Sequence, residues 1–331
     1  FTIRLNNVYI WHYIRRNIYF ELIKILGISN ERMEMSKKNS HTKFIWRDVL
    51  RNLIICNQFL AYHRDILIIP HERKYKEGKY YKCIYTSLID ENLSNSHYVL
   101  DKKSMESVYA IQKSHNILHF DMESFIRWKR IKIPYEVVSK MKFDRLVIEP
   151  IENYYKINFD LKYKRELFDL VNSCLNNRKY LIKYYDYMLQ KIAPQIILMV
   201  VSYDFDRMVL CEVAKKKKIP VVELQHGAIG CMHIAYQFYK EMKLPGFPDY
   251  IFTFGQFDKN KTRFPVNKYK VIPVGFPELE KNYNILKENR KKKKVILFIS
   301  QGVEEIAKYA NLAAQKLDAE KYQVIFKLHP C

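Results

Sequence analysis

Apolar residues in the second half of the chain fall into short runs bounded by polar turns. Residues 196–201, 221–224, 250–254 and 269–274 are runs of this kind, rich in Val, Ile and Phe, and each reads as a buried strand. Between the first two, the polar stretch Ser202-Tyr203-Asp204-Phe205-Asp206 leads into helical spacing over 207–217. Strand, helix and strand joined by short loops predict parallel strands with a right-handed crossover. The pattern starts afresh further on, with a strand over 295–299, the turn Ser300-Gln301-Gly302, a helix over 304–317 and a strand over 323–328. That helix carries Ile306, Tyr309, Ala310, Ala313 and Leu317 on one face.

The first half is less regular. Ile10, Tyr13, Ile14, Ile18, Leu22, Ile23 and Leu26 follow helical spacing, with Gly27 as the stop. A strand is expected over 65–70, and weaker ones near 81–85, 97–100 and 146–148. Residues 160–192 form a long helical stripe, expected to break at Asn176-Asn177 and ended by Pro194. Charged residues 279–294 lack a buried pattern and read as a connection. The expected organisation is therefore a Rossmann-like domain over 1–280, a linker over 281–294 and the start of a second domain over 295–331. A chain that opens on Phe1 and closes on His329-Pro330-Cys331 reads as part of a longer protein, its second domain truncated.

Composition supports a folded protein: 48% of the 331 residues are hydrophobic and 15% aromatic. The net charge of +22 favours anionic partners, though the many lysines accompany equally heavy use of Ile, Asn and Tyr. The densest basic runs, 215–218 and 287–294, read as solvated faces, the first suited to a helix C-terminus. Six cysteines without C-x-x-C spacing support neither a metal site nor a disulfide framework, and point to a reducing cytoplasm. No apolar run is long enough to span a bilayer. No signal peptide is evident, and the residues imply no cofactor or metal.

The candidate chemistry lies at the strand ends. Val221-Val222-Glu223-Leu224-Gln225-His226-Gly227 runs from a buried strand into a polar turn, which sets an imidazole at the carboxyl edge of a sheet, where open α/β folds bind ligands. Histidine suits proton transfer near neutral pH, so His226 is the candidate base, with a turn-capping histidine as the bland reading. Gln225 would orient a substrate hydroxyl, and Gly227 would permit a tight turn. Strand alternation would turn Glu223 to the opposite face, as a backup base or a helix-pairing charge. Six of the eight glycines follow residue 220, most near strand ends. The turn Ser300-Gln301-Gly302 offers backbone N–H groups at a helix start to phosphate. Lys327, sharing a strand face with His329, would join it and Pro330 in meeting a phosphate. His71 and Arg73, at a strand exit, and Asp204, otherwise an N-cap beside Asp206, are acceptor-side candidates.

Four segments in order, residues 220–227, 248–255, 271–277 and Lys327-Leu328-His329-Pro330, resemble bacterial GT-B glycosyltransferases of capsule and surface polysaccharide synthesis. Their relatives include the capsule sialyltransferase type and the teichoic-acid CDP-glycerol glycerophosphotransferases. The resemblance covers about 195–330, with a looser echo in Trp11 and Arg15. It implies an α/β, GT-B-like fold of two Rossmann-like domains facing a cleft, with acceptor in the first and a nucleotide-sugar donor in the second. It assigns donor phosphate to His329 and Pro330, and the acceptor-side base, a carboxylate in some relatives and a histidine in others, to His226. An Asp-Gly-type acidic motif is missing.

The expected function is thus metal-independent transfer of a sugar to a glycan or lipid-linked acceptor. The enzyme would be cytoplasmic, its basic surface at the inner face of the membrane, and a fragment lacking the rest of the donor domain would be inactive. The alternatives are a CDP-glycerol glycerophosphotransferase and a nucleotide-sugar epimerase of the same fold, which needs no acceptor. Nucleic-acid binding rests on charge alone and is disfavoured.

Overall fold

The computed structural model of the chain describes residues 3–28, 61–71, 74–77, 80–93, 96–102, 117–120, 135–288, 294–300 and 304–328. The chain divides into two compact units, Phe1–Phe276 and Pro277–Cys331.

The first unit opens with an antiparallel pair, β1 (Arg4–Leu5) and β2 (Val8–Tyr9), then helix α1 (Trp11–Ile25). Gly27 follows α1 at φ +67, the left-handed conformation that suits a helix stop. Next come β3 (Ile66–Ile69), the hairpin β4 (Tyr75–Glu77) and β5 (Tyr80–Lys82), α2 (Ser87–Asn92), β6 (His97–Lys102) and β7 (Ile117–Phe120). A helical stretch follows: α3 (Lys140–Phe143), a π-helical turn over Asp144–Ile148 and α4 (Glu149–Tyr155). The long α5 (Leu161–Ile192) leads to β8 (Ile196–Val200), α6 (Phe205–Lys216), β9 (Val221–Leu224), β10 (Tyr250–Thr253), α7 (Gln256–Lys261) and β11 (Val271–Pro273).

Seven of these strands form one parallel sheet in the order β11-β10-β9-β8-β3-β6-β7. Its strands are apolar on both faces, as a parallel sheet covered on both sides requires. Ile197, Met199 and Val221 join the core built on α1, α5 and α6. Val200, Val222 and Leu224 face the other way, against Tyr85 and Ile89. From β3 the chain steps outward to β6 and β7, then returns to place β8 on the other side of β3. The order of strands reverses there, so the carboxyl ends of β3 and β8 flank a topological switch point, the usual ligand crevice of an open α/β sheet.

Two expectations from the sequence are corrected. The stretch 146–148 is a π-helical turn, not a strand; Val147 and Ile148 are buried by a helical stripe that a three-residue apolar run cannot reveal. Helix α5 runs through Asn176-Asn177 without a break. Asn172 and Asn176 are buried there and use their amides on a neighbouring segment: Asn172 Oδ1 accepts from Val138 N (2.8 Å) and Asn176 Oδ1 from Glu136 N (3.0 Å).

The second unit begins with α8 (Pro277–Glu288), a helix over much of the charged stretch read as a connection. Strands β12 (Val295–Ile299) and β13 (Gln323–Lys327) then pair in parallel across helix α9 (Glu304–Lys316), a βαβ unit.

Candidate functional site

An aromatic or imidazole ring follows each of five neighbouring strands at the carboxyl edge of the large sheet. His71 comes after β3, Tyr203 after β8, His226 after β9, Phe254 after β10 and Phe276 after β11. His226 lies at the centre. Its ring stacks on His71 (centroids 5.5 Å apart, planes 28° apart) and meets the edge of His233 at 6.4 Å. Its Nε2 lies 3.1 Å from the Tyr203 hydroxyl and its Nδ1 3.4 Å from the Tyr236 hydroxyl. Beyond it, Phe254 and Phe276 stack face to face at 4.5 Å, with Tyr85 at 5.6 Å from Phe276.

Glu223 is 1% exposed and accepts hydrogen bonds from the Ser202 N–H (3.1 Å), the Ser202 hydroxyl and the Tyr236 hydroxyl. This corrects the expectation that it turns away from His226. The strand ends at Leu224, alternation stops with it, and both side chains reach Tyr236. Since Tyr236 donates to Glu223, its oxygen is left to accept from Nδ1–H of His226, and Nε2 then accepts from Tyr203. The four groups form one chain: Glu223, Tyr236, His226, Tyr203.

Burial pushes the Glu223 carboxyl above the usual carboxylate range, against the opposing hydrogen bonds from Ser202 and Tyr236. Burial likewise raises Tyr203 to about 12 and carries Tyr236 well above its ordinary value. His233 is lowered, by burial first and then by the cation of Arg16. The guanidinium of Arg16 lies 4.6 Å over the Tyr203 ring.

The backbone that aims these groups is strained. Val201, between β8 and Ser202, has φ +66, a left-handed conformation that a β-branched residue rarely adopts. Arg207, 5% exposed, holds it there. Its guanidinium donates to the carbonyls of Val200 and Val201 and to that of Pro70 (3.0 Å), tying together the exits of β8 and β3.

The other residues singled out from sequence lie as follows. The Gln225 amide is used by the protein itself, donating to Gly227 O (2.7 Å) and accepting from Phe254 N (2.7 Å), so it fastens the exits of β9 and β10 together. Gly227 has open space where a Cβ would stand and no positive φ. Asp204 precedes α6 as N-cap residue without a side-chain cap bond, and its carboxylate is 4.0 Å from Arg207. In the second unit, Ser300 follows β12 and donates its N–H to Lys327 O (2.9 Å), while Lys327 is exposed. Arg73, Gln301, Gly302, His329 and Pro330 lie outside the described residues. Among the described residues no group of three or more His, Cys, Asp or Glu could hold a metal ion, and no helix is long and apolar enough to cross a membrane.

The sequence reading missed Tyr203, Tyr236, His233 and Arg16. Tyr203 carries the same signal as His226, the second polar residue after a strand, and could have been found by it. Tyr236 and His233 come from a loop and are brought in only by the tertiary fold.

The large parallel sheet with its switch point and the separate βαβ unit make two Rossmann-like units in series. The fold is GT-B-like. No protein-family model matches the chain, and no curated protein is significantly similar to it. Similar solved structures include the UDP-GlcNAc 2-epimerase from Methanocaldococcus jannaschii (12% identity, TM-score 0.40, 80% of this chain and 65% of that one). The UDP-GlcNAc 2-epimerase from Neisseria meningitidis bound to UDP-GlcNAc is another (14%, 0.39, 80% and 66%), as is the UDP-N-acetylglucosamine 2-epimerase from Rickettsia bellii (13%, 0.37, 81% and 62%). The chain spans less than two thirds of the length of these structures.

These findings correct the expectation drawn from the four short segments. The solved structures found are nucleotide-sugar epimerases, not capsule sialyltransferases or glycerophosphotransferases. The reading as a glycosyltransferase of capsule synthesis, with a glycan or lipid-linked acceptor, is withdrawn. The physical reason is that strand-end turns such as Gln225-His226-Gly227 belong to the scaffold that carries the site, and one scaffold serves several reactions.

Proposed function

We propose that the protein acts on a nucleotide-activated sugar as an epimerase, inverting one carbon of the sugar without a second substrate. The observation that carries this reading is the hydrogen-bonded chain Glu223–Tyr236–His226–Tyr203 at the switch point. Inversion at a carbon requires groups that take up a proton and return one to the same molecule, and no acceptor. His226 Nε2, the accepting nitrogen of this chain, is assigned the uptake of the proton, directly or through the Tyr203 hydroxyl. When Nε2 takes up a proton, the Nδ1 proton passes to the Tyr236 oxygen and the Tyr236 hydroxyl proton to Glu223, whose burial suits it to the acid form. The same transfers in reverse return a proton to the substrate. A UDP-sugar is the first substrate to test, because the epimerases named above carry UDP-GlcNAc in their names. Its phosphates are assigned to the turn Ser300-Gln301-Gly302, Lys327 and the His329-Pro330 pair.

The test is incubation of the full-length protein with UDP-GlcNAc and other sugar nucleotides in deuterium oxide, read by NMR. The expected result is a new epimer carrying deuterium at the inverted carbon, and its loss in His226→Ala. Neither epimer nor deuterium with any sugar nucleotide would sink the proposal.

A further inference from the structure

Three aromatic rings at the carboxyl edge of the large sheet take no part in the hydrogen-bonded chain. Phe254, after β10, and Phe276, after β11, stack with their planes 7° apart. Tyr85, just before α2, lies 19° from the plane of each, 6.4 Å from Phe254 and 5.6 Å from Phe276. With Phe254 and Phe276 4.5 Å apart, the three centroids make a triangle and not a column. The rings are parallel and offset, so they form a stepped shelf.

The backbone fixes this shelf beside His226. The Phe254 N–H donates to the amide oxygen of Gln225 (2.7 Å), the residue before His226. Past the end of β11, the Val274 N–H still reaches Thr253 O (2.9 Å), and Gly275 then takes φ +85, a left-handed turn that delivers Phe276 onto Phe254. Adjacent strands lie about 4.8 Å apart, so the exits of β10 and β11 are one and two strand spacings from that of β9. The His226 ring meets Tyr85 at 6.4 Å with the planes 87° apart, so the imidazole stands upright beside the shelf.

The shelf is not part of the core. All three rings are half-buried, and neither Phe254 nor Phe276 joins the buried apolar clusters of this unit. Apolar ring faces left partly open next to a proton-carrying group suit a ligand that covers them.

We propose that Tyr85, Phe254 and Phe276 are the sugar subsite, on which an uncharged pyranose ring lies by its C–H face. The inference deepens the epimerase reading and rests on it for the carbon that is turned toward His226. The face of an aromatic ring is electron-rich and attracts the partly positive C–H hydrogens of a sugar, while hydroxyls around the sugar's rim keep their water. A carboxylate on the sugar would lose hydration against the shelf with nothing to replace it, so the subsite discriminates against acidic sugars.

The test is titration calorimetry of the full-length protein with UDP-GlcNAc, UDP-glucose, UDP-glucuronic acid and UDP. Phe276→Leu keeps an apolar side chain but removes the ring face. It is expected to weaken UDP-GlcNAc and UDP-glucose about tenfold and to leave UDP unchanged. Phe276→Tyr, which keeps the ring, is expected to bind as the parent does, and the parent to hold UDP-glucuronic acid more weakly than UDP-glucose. An equal loss for UDP would put the nucleobase on the shelf and overturn the proposal. Unchanged sugar-nucleotide affinity in Phe276→Leu, the same loss in Phe276→Tyr, or a parent that binds none of these sugars would overturn it too. A sugar nucleotide held through Phe276 but neither epimerised nor deuterated would sink the epimerase reading and leave the subsite standing.

Discussion

Glu223 occupies a place where an ionised carboxylate is expensive, and its neighbours only partly compensate. Three donors reach its oxygens, yet burial still leaves the acid form favoured relative to an ordinary glutamate. Glu223→Gln imitates that acid form in shape and can keep most of the same bonds. The expected outcome is a protein that melts close to the parent but turns over about 10²–10⁴-fold more slowly, the usual loss when a positioned proton carrier is removed. Circular-dichroism melts and a sugar-nucleotide assay measure the two separately. Gly246 predicts the opposite combination. An added Cβ would stand 3.0 Å from His12 Nε2 and 3.2 Å from Met208 Cβ, so Gly246→Ala should destabilise by about 1–3 kcal/mol through overpacking, read from a denaturant midpoint. At this scale the sequence is legible where a side chain ends a strand. His226 announces itself by following Leu224, whereas Tyr236 is one of 26 tyrosines and nothing local separates it from the rest.

Among the elements, α5 shows how a polar residue can mislead. A pair of asparagines inside a helical stripe predicts a break, because asparagine competes for its own backbone. Here the helix continues: the amide oxygens of Asn172 and Asn176 accept from the backbone of residues 136–138. Their NH2 groups donate to the i−4 carbonyls of Phe168 (3.0 Å) and Asn172 (2.8 Å) within the unbroken helix. Asn172→Ala leaves the N–H of Val138, itself 3% exposed, without its partner. The expected cost is about 1–3 kcal/mol, measured as a lower midpoint without change in helix content. The strands of the second half were legible because a sheet buried on both faces turns its sequence into bounded apolar runs. Before residue 150, helix α1 and strands β3 and β6 were legible from spacing, but the full hairpin β4–β5, strand β7 and the π-helical turn were not, because segments so short leave too few positions to establish a period.

For the whole molecule, acid is the informative stress. Glu212 is buried, which alone would raise it, but His12, Arg178 and Tyr13 around it outweigh that and hold it down to about 2. A carboxyl lowered in the fold contributes stability above its unfolded value of 4.5 and loses it as pH falls toward about 2. The contribution is on the order of 3 kcal/mol. His12, lowered by burial from 6.5, adds in the same sense, since the unfolded chain takes up that proton first. Glu223 runs the other way: raised in the fold, it favours the native state below 4.5 and loses that advantage as pH rises through its folded value. Wild type should therefore weaken between pH 6.5 and 3, and the gap to Glu212→Gln should narrow as it does, in urea midpoints taken across that range. The left-handed Val201 bears on how such a molecule changes under selection. Its strain of about 1–3 kcal/mol is comparable with the roughly 1.5–3 kcal/mol gained by burying the side chain. Val201→Gly should then be nearly neutral for folding, although a buried valine is lost. A library sorted for heat resistance alone would pass glycine or asparagine freely at 201, and its survivors would drift toward proteins that fold well but no longer aim Tyr203.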